Sequence, residues 1–238
     1  MKQTSTSELL IICPCFNEAN TIGELIDEIA SLNENFDVIV IDDGSEDGTY
    51  QTALAKANTV RLPLNLGIGG AVQTGYRYAV RHGYEYAIQI DGDGQHDPAY
   101  IQVLLSELKK SSAHMAIGTR YKVKKGFQSS RTRRLGGRII AELIGKLFSF
   151  RPTDPTSGMR LTNREATRVF SENYPIDFPE PLSLCSLMRK GFEIIEVPVV
   201  MRERVSGKSS ISGIKPLLYM VTMILRIMSE RLNWKGKR

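Results

Sequence analysis

Along the first half of the chain, short apolar runs alternate with stretches in which apolar residues recur every three or four positions. Residues 8–13 (ELLIIC), 36–41 (FDVIVI), 59–62, 86–90 and 114–119 read as strands, and 19–32, 47–57, 69–82 and 98–111 as helices. In the first helix Ile22, Leu25, Ile26 and Ile29 fall on one face. Asp97 is placed to cap the fourth, with Pro98 in its first turn. This alternation predicts an α/β fold, a mostly parallel central sheet with helices on both faces. Ligands of such sheets sit at the carboxyl ends of the strands.

After Arg120 the rhythm breaks. A basic stretch with Gly and Ser leads to a predicted helix over 137–148, a loop over 151–158, a short strand near 159–161 and a helix from Arg164. A helix over 180–190 and a strand over 193–199 follow. Residues 215–232 carry the apolar run LLYMVTMIL between Lys215 and Arg226. That run is shorter than the about 20 apolar residues a bilayer span needs. Leu217, Leu218, Val221, Ile224, Leu225 and Met228 fall at helical spacings, so the C-terminus is expected to be an amphipathic helical arm.

Composition adds bounds. With 238 residues, 42% hydrophobic and 24% charged, the chain has the make-up of a soluble globular protein with a real core. Its polar N-terminus runs straight into LLIIC without a basic region or cleavage site, so no signal peptide is expected. Cys13, Cys15 and Cys185 are too few and too badly spaced for a disulfide framework or zinc site, and are expected to be buried, which fits a reducing compartment. The net charge of +5 is unevenly spread: Arg120, Lys122, Lys124, Lys125, Arg131, Arg133, Arg134 and Arg138 follow one another with no acid between them. Arg226, Arg231, Lys235, Lys237 and Arg238 gather around Trp234 at the end. Such clusters are solvated faces or attract nucleic acid, anionic lipid or phosphate, and the charges alone do not choose.

Three predicted strands end in polar clusters: Pro14-Cys15-Phe16-Asn17-Glu18, Asp42-Asp43-Gly44-Ser45 and Asp91-Gly92-Asp93. A parallel sheet brings all three to one edge. Carboxylates gathered there repel one another unless something neutralises them. A hard divalent cation, Mg²⁺ or Mn²⁺, takes oxygen ligands, often one or two carboxylates plus substrate phosphates. If the segment is extended, Asp91, Asp93 and Gln95 point the same way. His96 is expected in a turn or at the surface, because such metals favour oxygen.

Taken in order, PCFNE, DDGSEDGT, NLGIGGAVQTG and DGDGQHDP resemble the family 2 glycosyltransferases of GT-A fold. GTRY, DPTSGMR and VPVVMRERVSGKSS resemble their polyprenyl-phosphate branch, the dolichol-phosphate-mannose-synthase-like enzymes. The resemblance implies a nucleotide-sugar donor (GDP- or UDP-sugar), Mg²⁺ or Mn²⁺ at the DxD motif, and inversion at the anomeric carbon. Its acceptor would be a polyprenyl or dolichyl phosphate, with a sugar hydroxyl as the alternative.

By the same resemblance Pro14, Phe16 and Glu18 cradle the base and ribose, and Asp42 and Asp43 contact the base, Asp42 foremost. Asp91, Asp93 and Gln95 form the metal and diphosphate site. Arg120 faces the acceptor phosphate, with Arg131 in the same basic run. Asp154 is the acidic residue of the acceptor loop, and Asp154 and Arg120 are the catalytic candidates. Arg202, Arg204 and Lys208 belong to a basic loop over the donor diphosphate. Residues 1–212 would form the catalytic domain, with 120–212 on the acceptor side, and 213–238 a docking helix. The expected partners are a nucleotide sugar, a lipid phosphate, and a membrane surface or small membrane protein, and not nucleic acid. The expected location is cytoplasmic, peripheral on the membrane's cytoplasmic face. Two departures from the branch are expected: residues 1–238 are read as holding none of the paired transmembrane helices frequent there, and Leu182 stands where an acid is common, leaving the role of Glu180 open. A phosphatase of the haloacid-dehalogenase type would place its DxD on an early strand, and a dinucleotide fold its glycines after the first strand; neither fits. A non-catalytic nucleotide-sugar-binding subunit is disfavoured by the intact DxD and basic loop.

Overall fold

The computed structural model describes residues 7–32, 34–123, 125–148, 150–203 and 215–232, with side chains of the last segment from Met220 onward. The expected strands appear as β1 (Leu9–Cys15), β2 (Phe36–Asp42), β3 (Asn58–Arg61), β4 (Tyr86–Gln89) and β5 (Met115–Thr119). The helices between them are α1 (Ile22–Ser31), α2 (Thr49–Leu54), α3 (Gly67–His82) and α4 (Ile101–Lys110). α4 is preceded by a 3-10 turn at Pro98–Tyr100, in which the Asp97 carboxylate accepts from Ala99 N as its cap.

The second half is α5 (Arg131–Leu147), β6 (Arg160–Asn163), α6 (Arg164–Glu172), α7 (Pro179–Arg189), β7 (Ile194–Pro198) and α8 (Lys215–Leu232). α5 starts six residues before its expected first turn, because Ser130 caps it by accepting from Arg133 N. The arginines of the basic stretch therefore lie on a helix.

The seven strands run in the order β3-β2-β1-β4-β6-β5-β7. β1 pairs parallel with β2 and β4, β2 with β3, and β5 with β7; β6 alone runs antiparallel, against β4 and β5. The carboxyl ends of β1, β2, β4, β5 and β7 thus meet the amino end of β6 on one edge. Apolar cores fill both faces. Leu10, Ile12, Ile39 and Ile41 point toward α3, and Leu9, Ile11, Cys13 and Val40 toward α1 and α4, as the two-residue strand period requires. All three cysteines are buried, and desolvation pushes the Cys13 and Cys185 thiols up to about 12.

α8 packs lengthwise on α7 and α5, with Met223 and Ile227 in the core. One face of the expected C-terminal helix is therefore packed on the body. Among the described residues no helix is long and apolar enough to cross a membrane.

Candidate active site

All three polar strand ends lie on the carboxyl edge, laced together by backbone and side-chain bonds. Cys15 pairs with Asp42 in register, and Asp43 N donates to Cys15 O. Asn17 N donates to Ser45 Oγ, Glu18 N to Thr49 Oγ1, and Glu46 N to Asn17 Oδ1. Asn17 holds a positive φ of 56°, which re-aims the chain after Phe16. Pro14 and Glu18 are buried, while the Phe16 ring is 46% exposed on the rim.

Asp42 is fully buried, with Oδ1 accepting from Ser45 N and Oδ2 3.4 Å from Arg61 Nε. Asp43 accepts from Leu66 N; burial pushes its carboxyl up, and the Leu66 and Gly67 amides partly offset that. The two carboxylates thus organise the loops on either side of β2.

The DGDGQHD segment is not extended. It turns at residues 92–94, so the expected alternation of Asp91, Asp93 and Gln95 does not hold. Asp93 Oδ1 accepts from Gln95 N across that turn. Asp91 is gripped from both sides: Gln89 Nε2 donates to Oδ1 at 2.7 Å, and His96 Nε2 lies 3.7 Å from Oδ2. His96 is buried rather than at the surface, its Nδ1 accepting from Asp91 N. The ring thereby folds the turn back on itself. Gly158 comes so close that a Cβ there would lie 2.6 Å from Asp91 Oδ2.

Among the described residues no three His, Cys, Asp or Glu side chains form a metal cage. The carboxylates of Asp91, half-buried, and Asp93, buried, on one turn instead fit a hard cation whose remaining ligands come from a diphosphate. Gln95 lies on the same turn, its amide within 3.4 Å of Arg202 O.

On the acceptor side Asp154 is fully buried and accepts from Arg120 Nε at 2.6 Å and Nη2 at 2.7 Å. Burial works against the Arg120 charge, but this carboxylate outweighs it and holds the guanidinium above its usual pKa. Arg120 Nη2 also donates to Thr156 Oγ1 at 3.1 Å, and the guanidinium carbon lies 5.3 Å from the centre of the Tyr121 ring. Asp154 N and Thr153 N both donate to Glu196 of β7, which clamps the loop. The first turn of α5 lies beside Tyr121, within electrostatic reach of Arg133 and Arg134. Arg131 opens that helix, exposed.

Arg202 is engaged elsewhere. Its guanidinium pairs with Glu28 at 2.7 Å and Asp97 at 3.2 Å, while its backbone N donates to Gln95 O. Arg204 and Lys208 lie outside the described residues, as do Lys124, Trp234, Lys235, Lys237 and Arg238.

Sequence reasoning missed Gln89, Arg160 and Glu196. Each is a polar residue flanked by apolar ones (Gln89 between Ile88 and Ile90, Arg160 between Met159 and Leu161, Glu196 between Ile195 and Val197), and that mismatch is the signal that marks them. Arg160 is fully buried and binds Ser157 O, Pro155 O and Ser183 Oγ, tying the acceptor loop to α7. Glu180, in the first turn of α7, has its carboxyl pushed up by burial and by Asp91, with Arg160 opposing. Phe178 before it holds a left-handed φ of 49°, a strained backbone that sets the entry of α7.

Comparison with known proteins places this geometry. The chain is 28% identical over 213 residues to the UDP-N-acetylglucosamine–dolichyl-phosphate N-acetylglucosaminyltransferase of Methanococcus voltae, covering 80% of this chain and 84% of that one. It is 29% identical over 222 residues to the polyprenol monophosphomannose synthase of Mycolicibacterium smegmatis, covering 87% and 82%. In fold it is similar to glucosyl-3-phosphoglycerate synthase from Mycobacterium tuberculosis, solved with Mn²⁺, UDP and phosphoglyceric acid. That likeness has a TM-score of 0.69 at 20% identity, over 98% of this chain and 81% of that one. The family model described as glycosyl transferase family 2 matches residues 10–170, which include the three polar strand ends and the Arg120–Asp154 pair. With the GT-A architecture around them, these residues make the chain a member of glycosyl transferase family 2.

Proposed function

We propose that the enzyme transfers a sugar, with inversion, from a nucleoside diphosphate sugar to a polyprenyl-type lipid phosphate at this edge. The observation that carries the reading is Arg120: a buried carboxylate locks one edge of its guanidinium at the head of a run of basic residues that contains no acid. The donor would lie across Pro14, Phe16, Glu18, Asp42 and Asp43. Asp91 and Asp93, with Gln95 on their turn, would hold Mg²⁺ or Mn²⁺, which when bound offsets the negative charge growing on the departing diphosphate. An acceptor phosphate oxygen forms the new bond to the anomeric carbon as the bond to the nucleoside diphosphate breaks. A phosphate monoester is already ionised near neutral pH, so no proton has to be removed. Arg120 and the basic start of α5, including Arg131, orient it. Asp154 acts through Arg120 as a positioning residue, which speaks against its service as the base that a sugar-hydroxyl acceptor needs. Arg202, paired as it is, braces the metal turn through Gln95; Arg204 and Lys208 would face the diphosphate. The two relatives named for lipid-phosphate chemistry support this acceptor class.

The test is a panel of GDP- and UDP-sugars with Mn²⁺ or Mg²⁺, read first as thermal shift and then as nucleotide release with polyprenyl phosphate. Asp91→Asn and Asp93→Asn should keep the fold and abolish turnover. Full activity in the double variant, or in excess chelator, would falsify the site.

A further inference from the structure

β7 turns one carboxylate inward. Ile194 belongs to the same core as Ile140, Ile144 and Leu184, and the two-residue strand period puts Glu196 on the same side as Ile194. The Glu196 side chain is only 3% exposed. A carboxylate so enclosed is costly unless it is hydrogen-bonded. Glu196 meets that need from the loop before β6. Its Oε1 accepts from Thr153 N at 2.6 Å and Asp154 N at 3.1 Å, and its Oε2 from Thr153 Oγ1 at 2.9 Å. Lys122 Nζ stands 3.7 Å from Oε2. The Thr153 hydroxyl has a single proton and gives it to Glu196, so the Thr119 hydroxyl, 2.8 Å away, donates to Thr153.

Asp154 is thus held at both ends. Its backbone N–H points to Glu196, while its carboxylate accepts from Arg120 Nε, Nη2 and, at 3.3 Å, Arg120 N. Thr119 and Arg120 are consecutive, as are Thr153 and Asp154, so the end of β5 and the loop meet residue against residue with Glu196 as anchor. The neighbouring loop positions cannot supply the same hold, because Pro152 and Pro155 have no N–H to donate. A strand position that served packing alone would be apolar here, as Ile194 is. A carboxylate aimed at two successive amides fixes a place for them. The donor side is anchored separately, Asp43 by the Leu66 amide and Asp91 by Gln89 and His96.

We propose that Glu196 is a positioning residue for the transfer reaction. By accepting from the Thr153 and Asp154 amides it sets where Asp154 stands, and through Asp154 the direction in which the Arg120 guanidinium meets the acceptor. The proposal rests on the lipid-phosphate reading above for the identity of that acceptor, and on geometry alone for the placement of Arg120. A misplacement of about 1 Å in a group that orients a substrate can cost on the order of a hundredfold in rate. Loosening Glu196 should therefore act on the acceptor and spare the donor.

The experiment uses the full chain and the variants Glu196→Ala, Glu196→Asp and Glu196→Gln. Gln keeps an oxygen for the two amides, whereas Asp keeps the charge and withdraws it by one methylene. The first readout needs no acceptor: the NMR signal of the Arg120 Nε–H, identified by its loss in Arg120→Lys, whose exchange with water reports its bond to Asp154. That exchange should be at least about tenfold faster in the Ala and Asp variants and near wild type in the Gln variant. The second is steady-state kinetics with Mn²⁺, a GDP- or UDP-sugar and a short-chain polyprenyl phosphate. The Ala and Asp variants should lose at least about tenfold in kcat/KM for the acceptor with donor KM within about twofold of wild type, and Gln should recover the acceptor value to within about threefold. The Asp variant decides the matter if the Ala variant does not fold. The proposal is overturned if Arg120 exchange is unchanged when Glu196 is shortened, or if the Gln variant is as impaired as the Asp variant. It is equally overturned if donor and acceptor parameters fall together, which is the mark of a carboxylate that only supports the fold. Exchange that follows the variants, with no transfer to any lipid phosphate by the wild type, would sustain the placement of Arg120 by Glu196 and remove the acceptor reading.

Discussion

The Arg120–Asp154 pair supports a quantitative prediction. Asp154 is completely buried, its two oxygens accept bonds of 2.6 and 2.7 Å from one guanidinium, and the Arg120 side chain is only 14% exposed. Asp154→Ala leaves that cation almost enclosed and without its partner. Breaking such a pair typically costs 3–5 kcal/mol, and because Arg120 retains a route to solvent the lower end, about 3 kcal/mol, applies here. In a chain of this size each kcal/mol lowers Tm by roughly 2–4 °C, so the loss should be about 6–12 °C. Removing both partners, as in Arg120→Met with Asp154→Ala, should cost less than the sum of the single changes, with a coupling energy of at least about 1.5 kcal/mol. Urea titrations of wild type, both single variants and the double variant measure this cycle. Asp154→Asn, which keeps the shape and one acceptor, should lie between wild type and Asp154→Ala and retain measurable turnover on phosphate acceptors. An additive cycle, or an Asp154→Ala variant within about 0.5 kcal/mol of wild type, refutes the structural role. Complete loss of turnover in a folded, donor-binding Asp154→Asn variant would instead make the carboxylate a base for a hydroxyl acceptor.

Two further outcomes follow from the packing and the charges. Gly75 of α3 faces β1 so closely that a Cβ would sit 2.2 Å from Ile12 Cγ2; Gly75→Ala should destabilise the protein by about 1–2 kcal/mol in urea, since overpacking outweighs the gain in helix propensity. Stability equal to wild type would mean the helix and strand separate freely there. Glu180, whose carboxyl is held above its usual pKa chiefly by burial, binds its proton more tightly folded than unfolded. Its protonation therefore favours folding at low pH, and that contribution is lost as pH rises through the folded pKa. Glu180→Gln should accordingly be more stable than wild type at pH 7–8, with the difference vanishing below pH ~4, as read from Tm against pH. A variant less stable than wild type at neutral pH would show that Arg160 outweighs the desolvation.

The strand–helix rhythm, and with it the parallel half of the sheet, was legible in the sequence because both periods are local: two for strands, three to four for helices. Three polar clusters each followed an apolar strand, so a parallel sheet was sufficient to bring them to one edge, and their motifs were enough to recognise the family. Helix starts were less legible. α5 opens at Arg131 because Ser130 caps it, and a basic first turn masks the apolar periodicity that begins later.

What lay beyond the sequence depends on contacts between distant residues. Only the reversal of β6 between β4 and β5 carries Arg160 and the loop before it to the same edge as Asp91. Asp154 meets Arg120 across 34 residues and Glu196 across 42, so no local pattern could distinguish a positioning carboxylate from a free base. His96 reads as a turn residue until the chain folds back and its ring takes the Asp91 amide. The periodicity of α8 marks which residues share a face. Its neighbours α5 and α7 decide that Met223 and Ile227 are enclosed while Leu225 and Leu232 are left to solvent, because burial belongs to the surface a helix meets and not to the helix alone.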